Sequence, residues 1–288
     1  MRVLILGKSG QLAQSLVETA PESVELTVWG RSELDLMVTD DIVPRLLQLA
    51  PEGIINASAY TAVDRAEQEE VAAFCLNRDA VEQMGIAAAQ LGCSLVHVST
   101  DFVFDGSQSH PYRPADECKP LGVYGASKRA GEEALQRVCA ETAIVRTAWV
   151  YRAGSGNFMS TMLRLMAERD ELGVVADQVG APTSSDNLAC VLWRVLDKRL
   201  SGLWHYTDAG AASWYDFACA IYQAARASGV LGRELIIKPL KTEQYPTPAK
   251  RPSYSVLDSA DLREAIAWPA IHWQQALQEQ INQISSQT

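Results

Sequence analysis

The sequence predicts an α/β fold: a doubly wound parallel sheet with helices on both faces, followed by a smaller α/β region. Three observations predict it. Short apolar runs recur at residues 2–6, 24–29, 53–57, 94–98 and 143–151. A run that is apolar throughout, instead of alternating, is how a strand covered on both faces reads. The segments between the runs leave room for the crossover helices that parallel strands require. Polar and aromatic groups gather just past the C-terminal ends of the runs, the edge at which open parallel sheets bind ligands.

The first run breaks into Gly7-Lys8-Ser9-Gly10-Gln11-Leu12-Ala13 and a helical pattern through Ala20. The glycines let the turn tighten and let a pyrophosphate approach the backbone at a helix N-terminus, and the small Ala13 lets helix and strand pack closely. A plain βα turn can look the same, but a dinucleotide fold puts this turn after its first strand. The second run ends in Gly30-Arg31-Ser32. NAD selectivity usually places an acid there for the ribose hydroxyls; a guanidinium suits the extra phosphate of NADP, unless Arg31 is simply an exposed loop residue. The expected cofactor is NADPH, with NADH as the alternative.

Residues 53–61 run from a strand into the small-residue loop Ala57-Ser58-Ala59-Tyr60-Thr61, and the 94–98 run delivers Ser99-Thr100-Asp101 to its end. Tyr124-Gly125-Ala126-Ser127-Lys128 then puts a tyrosine and a lysine one helical turn apart on one face. This spacing also suits any amphipathic helix. If the cation lies beside the phenol, it favours the ionised form and lowers a pKa of ~10 by roughly 1–3 units. A phenol so tuned can protonate a carbonyl oxygen as a hydride arrives. Thr100, Tyr124, Lys128 and Trp149 all belong to segments expected at one edge of one sheet.

Composition excludes other classes. The 288 residues carry a net charge of −10, which leaves no basic stripe for a nucleic acid or a membrane surface. Six scattered cysteines without a CxxC read as reduced core residues, not a disulfide framework. No run has the length of a signal peptide or membrane span, so the expected location is the cytoplasm. His205 and His272 read as core or surface residues, and Trp193, Trp204, Trp214, Trp268 and Trp273 as packing of the smaller domain. Residues 285–288 look disordered.

The Gly7 turn, Ser99-Thr100-Asp101 and Tyr124-Gly125-Ala126-Ser127-Lys128, in this order, resemble the extended short-chain dehydrogenase/reductase family. So do Arg146-Thr147-Ala148-Trp149, Asp177-Gln178-Val179-Gly180-Ala181-Pro182-Thr183 and residues 245–252. The resemblance covers nearly the whole chain and is closest to members that reduce a 4-keto dTDP-sugar, dTDP-4-dehydro-6-deoxy-L-mannose. It implies Thr100, Tyr124 and Lys128 as a catalytic triad. Tyr124 would donate the proton, Thr100 would orient the keto oxygen, and Lys128 would hold the nicotinamide ribose and stabilise the tyrosinate. It implies Gly7, Gly10, Gln11 and Leu12 at the pyrophosphate, Arg31, Asp35 and Leu36 near the adenosine end, and Ala59, Tyr60 and Thr61 along the cofactor. Asp101, Trp149 and Arg251 would contact the sugar nucleotide.

The resemblance also implies a discontinuous division: a Rossmann domain of residues 1–150 plus roughly 202–228, and a sugar-nucleotide domain of roughly 151–201 and 229–288. Some family members bind magnesium through glutamates at a dimer interface. The first such position here is Ser15, so no metal and a monomer or weak homodimer are expected. The rivals are a sugar-nucleotide dehydratase or epimerase on the same fold and a non-catalytic binding subunit. Dehydratases place Asp-Glu after the threonine; here Asp101 is followed by Phe102. Residues 245–252, with three prolines and the cations Lys250 and Arg251, form either a clamp on the substrate diphosphate or a surface linker.

Overall fold

A computed structural model describes residues 1–286. Strands β1 (Arg2–Leu6), β2 (Glu25–Trp29), β3 (Gly53–Asn56), β4 (Ser94–Thr100) and β5 (Ala143–Thr147) lie parallel in the order β2-β1-β3-β4-β5. The Gly202–His205 strand completes the sheet against β5. Each strand contributes alternate residues to two cores. Val3 and Ile5 join Leu12 and Leu16 on one face, while Leu4 and Leu6 join Ile42, Leu46 and Met84 on the other. Each fully buried aliphatic side chain contributes roughly 1.5–3 kcal/mol, which is why aliphatic residues dominate both faces, with the buried polar residues Asn56, His97, Thr100 and Arg146 among the exceptions. From β1 the chain winds to one side as β2 and to the other as β3, so the switch point and its crevice lie between the ends of β1 and β3.

The smaller body has its own core of Tyr151, Met159, Met162, Phe217, Ile221 and Trp273. A parallel pair, Glu171–Val175 with Ile236–Leu240, stands beside it. The Trp214–Ala227 helix begins as its Ser213/Asp216 spacing predicts. The Asp216 N–H donates to Ser213 Oγ at 3.0 Å and the Ser213 N–H to Asp216 Oδ2 at 2.9 Å, a reciprocal cap worth about 1 kcal/mol.

Two helices pack across the boundaries expected from the sequence. The Ser185–Asp197 helix, placed with the sugar-nucleotide domain, lays Leu188, Leu192 and Leu196 on the sheet. The Trp214–Ala227 helix, placed with the Rossmann domain, buries Phe217 and Ile221 in the smaller core. Only the strand of the 202–228 segment joins the sheet. The tryptophans divide accordingly. Trp193, whose Nε1–H donates to Leu16 O at 3.1 Å, packs with the sheet core together with Trp204 and Trp268; Trp214 and Trp273 pack in the smaller one. An amphipathic helix shows which of its faces is apolar, not which of two cores covers it.

Ser285 is the last residue of the Trp273–Ser285 helix rather than part of a loose tail; Gln287 and Thr288 lie outside the described residues. Ser15 is fully buried, its Oγ within 2.6 Å of Ser185 Oγ and donating to Asp186 Oδ1 at 2.6 Å. Among the described residues no helix is long and apolar enough to cross a membrane.

Candidate active site

The Val123–Val138 helix presents Tyr124 and Lys128 to the end of β4 because several contacts fix its position. Its first N–H, from Val123, donates to Glu67 Oε1 at 2.9 Å. A Cβ on Gly125 would lie 2.1 Å from Phe102 O, so only glycine lets the helix rest on the backbone beyond Thr100. Two turns on from Tyr124, Glu132 receives Arg146 Nε at 2.8 Å, Arg146 Nη2 at 2.6 Å and Ser99 Oγ at 2.6 Å. Glu132 and Arg146 are wholly buried. Burial works to raise the Glu132 pKa, but the hydrogen bonds and charge of Arg146 outweigh it and leave the carboxyl below its ordinary value. This pair, with Ser99, ties the helix that carries Tyr124 and Lys128 to β4 and β5.

Thr100, Asp101, Tyr124, Lys128, Trp149 and Arg251 line one cavity of about 840 Å³. The Thr100 hydroxyl donates to Asp101 Oδ1 at 3.1 Å and accepts the Phe102 N–H at 3.2 Å. The Phe102 ring stands edge-on to Tyr124, with centroids 5.5 Å apart. Burial pushes the Tyr124 phenol up to about 12; a hydrogen bond with Thr100 opposes the rise and the Asp101 charge adds to it. Because the ring is open to the cleft, solvent tempers this rise, and the direction is what matters: the phenol keeps its proton at neutral pH.

This reverses the expectation that Lys128 depresses the tyrosine pKa. Lys128 Nζ instead donates to Val98 O at 2.7 Å and lies 3.2 Å from His97 Nε2. The lysine is itself perturbed: burial lowers it from 10.5 to about 8, against a small upward pull from Glu132. Asp101 is buried, and burial pushes it up to about 6, partly offset by Ser255 and Thr100.

A second cavity of about 600 Å³ holds Gly7, Tyr60, Arg31, Asp35 and Leu36. Both cavities share Ser9, Gly10, Ala57, Ser58, Ala59 and Thr61, while Gln11 and Leu12 line the larger. The candidate catalytic, cofactor and sugar-nucleotide residues therefore line one continuous cleft across the ends of β1, β3 and β4, whereas Lys250, the other cation of the 245–252 segment, lines neither cavity. Gly7 sits at φ +108°, and a Cβ there would meet the Ala57 backbone at 2.9 Å, so the β1 and β3 turns touch and leave a shallow cradle beside them. The helix that follows, Gln11–Glu18, has no side-chain cap and no acid in its first turn, which leaves its N–H groups open to an anion. A cleft of this shape, with an open helix end and no filling side chain, fits a dinucleotide.

Three details were not legible beforehand. Arg31 is exposed, with its Nε 3.2 Å from Asp35 Oδ2, and Lys8 stands on the same cavity wall, held by Glu33 at 2.9 Å. Two cations, each with an acid, therefore flank the second cavity. Arg251 is paired through both Nη atoms with Asp64, at 3.1 and 2.9 Å, so its charge is already shared with a carboxylate. Trp149, at φ +48°, stacks on Trp214 with centroids 3.5 Å apart and planes 6° apart. A Cβ on Gly180 would strike the Trp149 indole at 2.6 Å. Trp214 was assigned to packing alone; it also lines the larger cavity. Its partner lies 65 residues away in sequence, and no local pattern signals the stack.

Comparison with known proteins gives a consistent result. Residues 1–286 match the family described as RmlD substrate binding domain. A dTDP-4-dehydrorhamnose reductase of Aggregatibacter actinomycetemcomitans is 40% identical over 284 residues, covering 96% of this chain and 97% of the relative. The crystal structure of a Clostridium acetobutylicum dTDP-4-dehydrorhamnose reductase superposes with a TM-score of 0.93 at 35% identity, covering 99% of both chains. A Bacillus anthracis dTDP-4-dehydrorhamnose reductase, solved in complex with NADP, gives a TM-score of 0.92 at 32% identity, covering 98% of this chain and 99% of that one.

Proposed function

The chain belongs to the RmlD substrate binding domain family, and on that premise we propose that its cleft reduces dTDP-4-dehydro-6-deoxy-L-mannose to dTDP-L-rhamnose at the expense of NADPH. The observation that supports this most is the convergence of Thr100, Tyr124 and Lys128 on the cavity that continues into the Gly7–Gly10 turn. Bound NADPH supplies hydride to C4 of the sugar. The Gly10 turn and the open helix end after it would hold the pyrophosphate, Lys8 and Arg31 the 2′-phosphate, Asp35, Leu36, Ala59, Tyr60 and Thr61 the remainder.

Tyr124, protonated at neutral pH, gives its proton to the 4-keto oxygen as negative charge develops there. Thr100, whose hydroxyl is 3.1 Å from Asp101 Oδ1 and which lines the same cavity as Tyr124, orients that oxygen. The stacked Trp149 and Trp214 rings form an apolar wall for the sugar, Asp101 accepts a sugar hydroxyl, and Arg251 lies where the diphosphate would pass. Dehydration would need a second carboxylate after Asp101, and Phe102 fills that place against the tyrosine ring. We assign the cofactor to the body built on residues 1–150 and the sugar nucleotide to the body around Trp214, with the cleft between them. The free cysteines suit a reducing cytoplasm. The buried Ser15, already bonded to Ser185 and Asp186, suits a monomer or weak homodimer.

The test is to add the dTDP-linked 4-keto sugar to the native protein with NADPH and follow absorbance at the nicotinamide band. Stoichiometric NADPH consumption with formation of the 4-hydroxy sugar is expected, and its absence would overturn the assignment.

A further inference from the structure

Behind Lys128 runs a buried line of polar groups that the reaction as described does not use. Asn56 ends β3 and His97 lies on β4; both are fully buried, as is Lys128. The Asn56 amide orientation is fixed by its neighbours. Its Oδ1 accepts the Ser58 backbone N–H at 3.0 Å and the Ser58 hydroxyl at 2.5 Å, and a backbone N–H can only donate. The amide NH2 therefore faces the other way, 3.0 Å from His97 Nδ1. Facing a donor, Nδ1 must be the bare, accepting nitrogen. Burial, with the charge of Lys128 adding, holds His97 far below its usual range and hence neutral, so the ring's one proton sits on Nε2.

That N–H points at Lys128 Nζ, 3.2 Å away. An amine has a lone pair to accept it; an ammonium has none. We propose that Asn56 and His97 are positioning residues that, through the imidazole tautomer, bias Lys128 toward its uncharged amine. Protonating Lys128 requires His97 to offer a bare Nε2. The proton then moves to Nδ1, and the Asn56 amide must turn over at the cost of both Ser58 bonds. The other groups around Lys128 do not supply this bias. Glu132, one turn along its own helix, favours the charged form. Tyr124 and Asp101 share the cavity. The segment packed against the helix's other side presents the neutral Asn77, bonded to Ser127 at 3.0 Å.

The consequence builds on the reductase reading. After Tyr124 has protonated the sugar oxygen, its phenolate must regain a proton. An amine that gains and loses its proton near neutral pH can serve that return, and Lys128 lines the same cavity as Tyr124.

The sign of one substitution separates this device from burial alone. Asn56→Leu removes the donor that fixes the tautomer, so His97 is free to accept from an ammonium and the Lys128 titration moves up by about one pH unit. If burial were the only cause, the added apolar surface would leave the midpoint in place or move it down. The titration is read from the ¹³Cε resonance of Lys128 in lysine-labelled protein without substrate, so the result does not depend on the sugar assignment. The ¹⁵N spectrum of His97 in the native protein above pH 9 tests the same claim without a variant. Nε2–H is expected, and the Nδ1–H tautomer there, or an unmoved or lowered midpoint in Asn56→Leu, overturns the proposal.

Discussion

Replacing Lys128 with methionine should stabilise the fold at neutral pH while removing activity. Burial lowers the lysine from 10.5 to about 8; at about 1.4 kcal/mol per pH unit, the folded state bears about 3 kcal/mol whenever the group is charged. The sign follows from proton counting. Below pH 8 both states hold the proton and the full cost applies. Between 8 and 10.5 the unfolded chain binds more protons, so stability rises with pH, and above 10.5 the cost is gone. Methionine removes the charge, fills a similar volume, and forfeits the contacts with Val98 O and His97, about 1 kcal/mol each. The variant should be about 1 kcal/mol more stable than the native protein at pH 7 and about 1 kcal/mol less stable at pH 10. Urea unfolding at both pH values measures the difference. A variant less stable at pH 7, with a gap that does not change with pH, would refute the view that a buried cation is held here for function against stability.

Three further outcomes follow from the site. Asp101, pushed up to about 6 by burial, protonates as pH falls through 6 and can no longer accept from the sugar. The acid limb of kcat/KM should lie near pH 6 and disappear from the profile of Asp101→Asn, whose remaining activity is pH-independent there. Arg146→Met leaves the buried Glu132 with Arg129, at 3.0 Å, as its remaining ion-pair partner; a loss of about 3 kcal/mol in denaturant unfolding is expected, and the double variant Arg146→Met/Glu132→Leu should recover much of it. Gly7→Ala forces a Cβ into the Ala57 backbone at a φ of +108°. A loss of NADPH affinity of at least about tenfold by fluorescence titration is expected, with stability falling by more than about 1 kcal/mol.

What the sequence made legible was what local pattern determines. The apolar runs gave the parallel sheet, because a strand covered on both faces is mostly apolar instead of alternating, and the Ser213/Asp216 spacing marked a real helix start. The glycine turn, Thr100 and the Tyr124/Lys128 pair all come to the cleft because each follows directly from a strand end or a helix face. Pairings set by tertiary packing were not legible. Trp214 meets Trp149 across the molecule, Asp64 meets Arg251 from 187 residues away, and the Ser185–Asp197 and Trp214–Ala227 helices exchange the cores expected for them. The electrostatic error has the same origin. One helical turn places Tyr124 and Lys128 on one face, but where the lysine head goes depends on Val98 and His97, which another strand supplies.

The central claim is that Tyr124 delivers a proton to the sugar's keto oxygen, and its most direct test is Tyr124→Phe. The ring and its edge contact with Phe102 remain, and only the acidic hydroxyl is lost. With NADPH and the dTDP-linked 4-keto sugar both saturating, kcat should fall by roughly 10²–10⁴, while the dissociation constant for NADPH stays within about twofold. Turnover at the native rate in the phenylalanine variant would contradict the account.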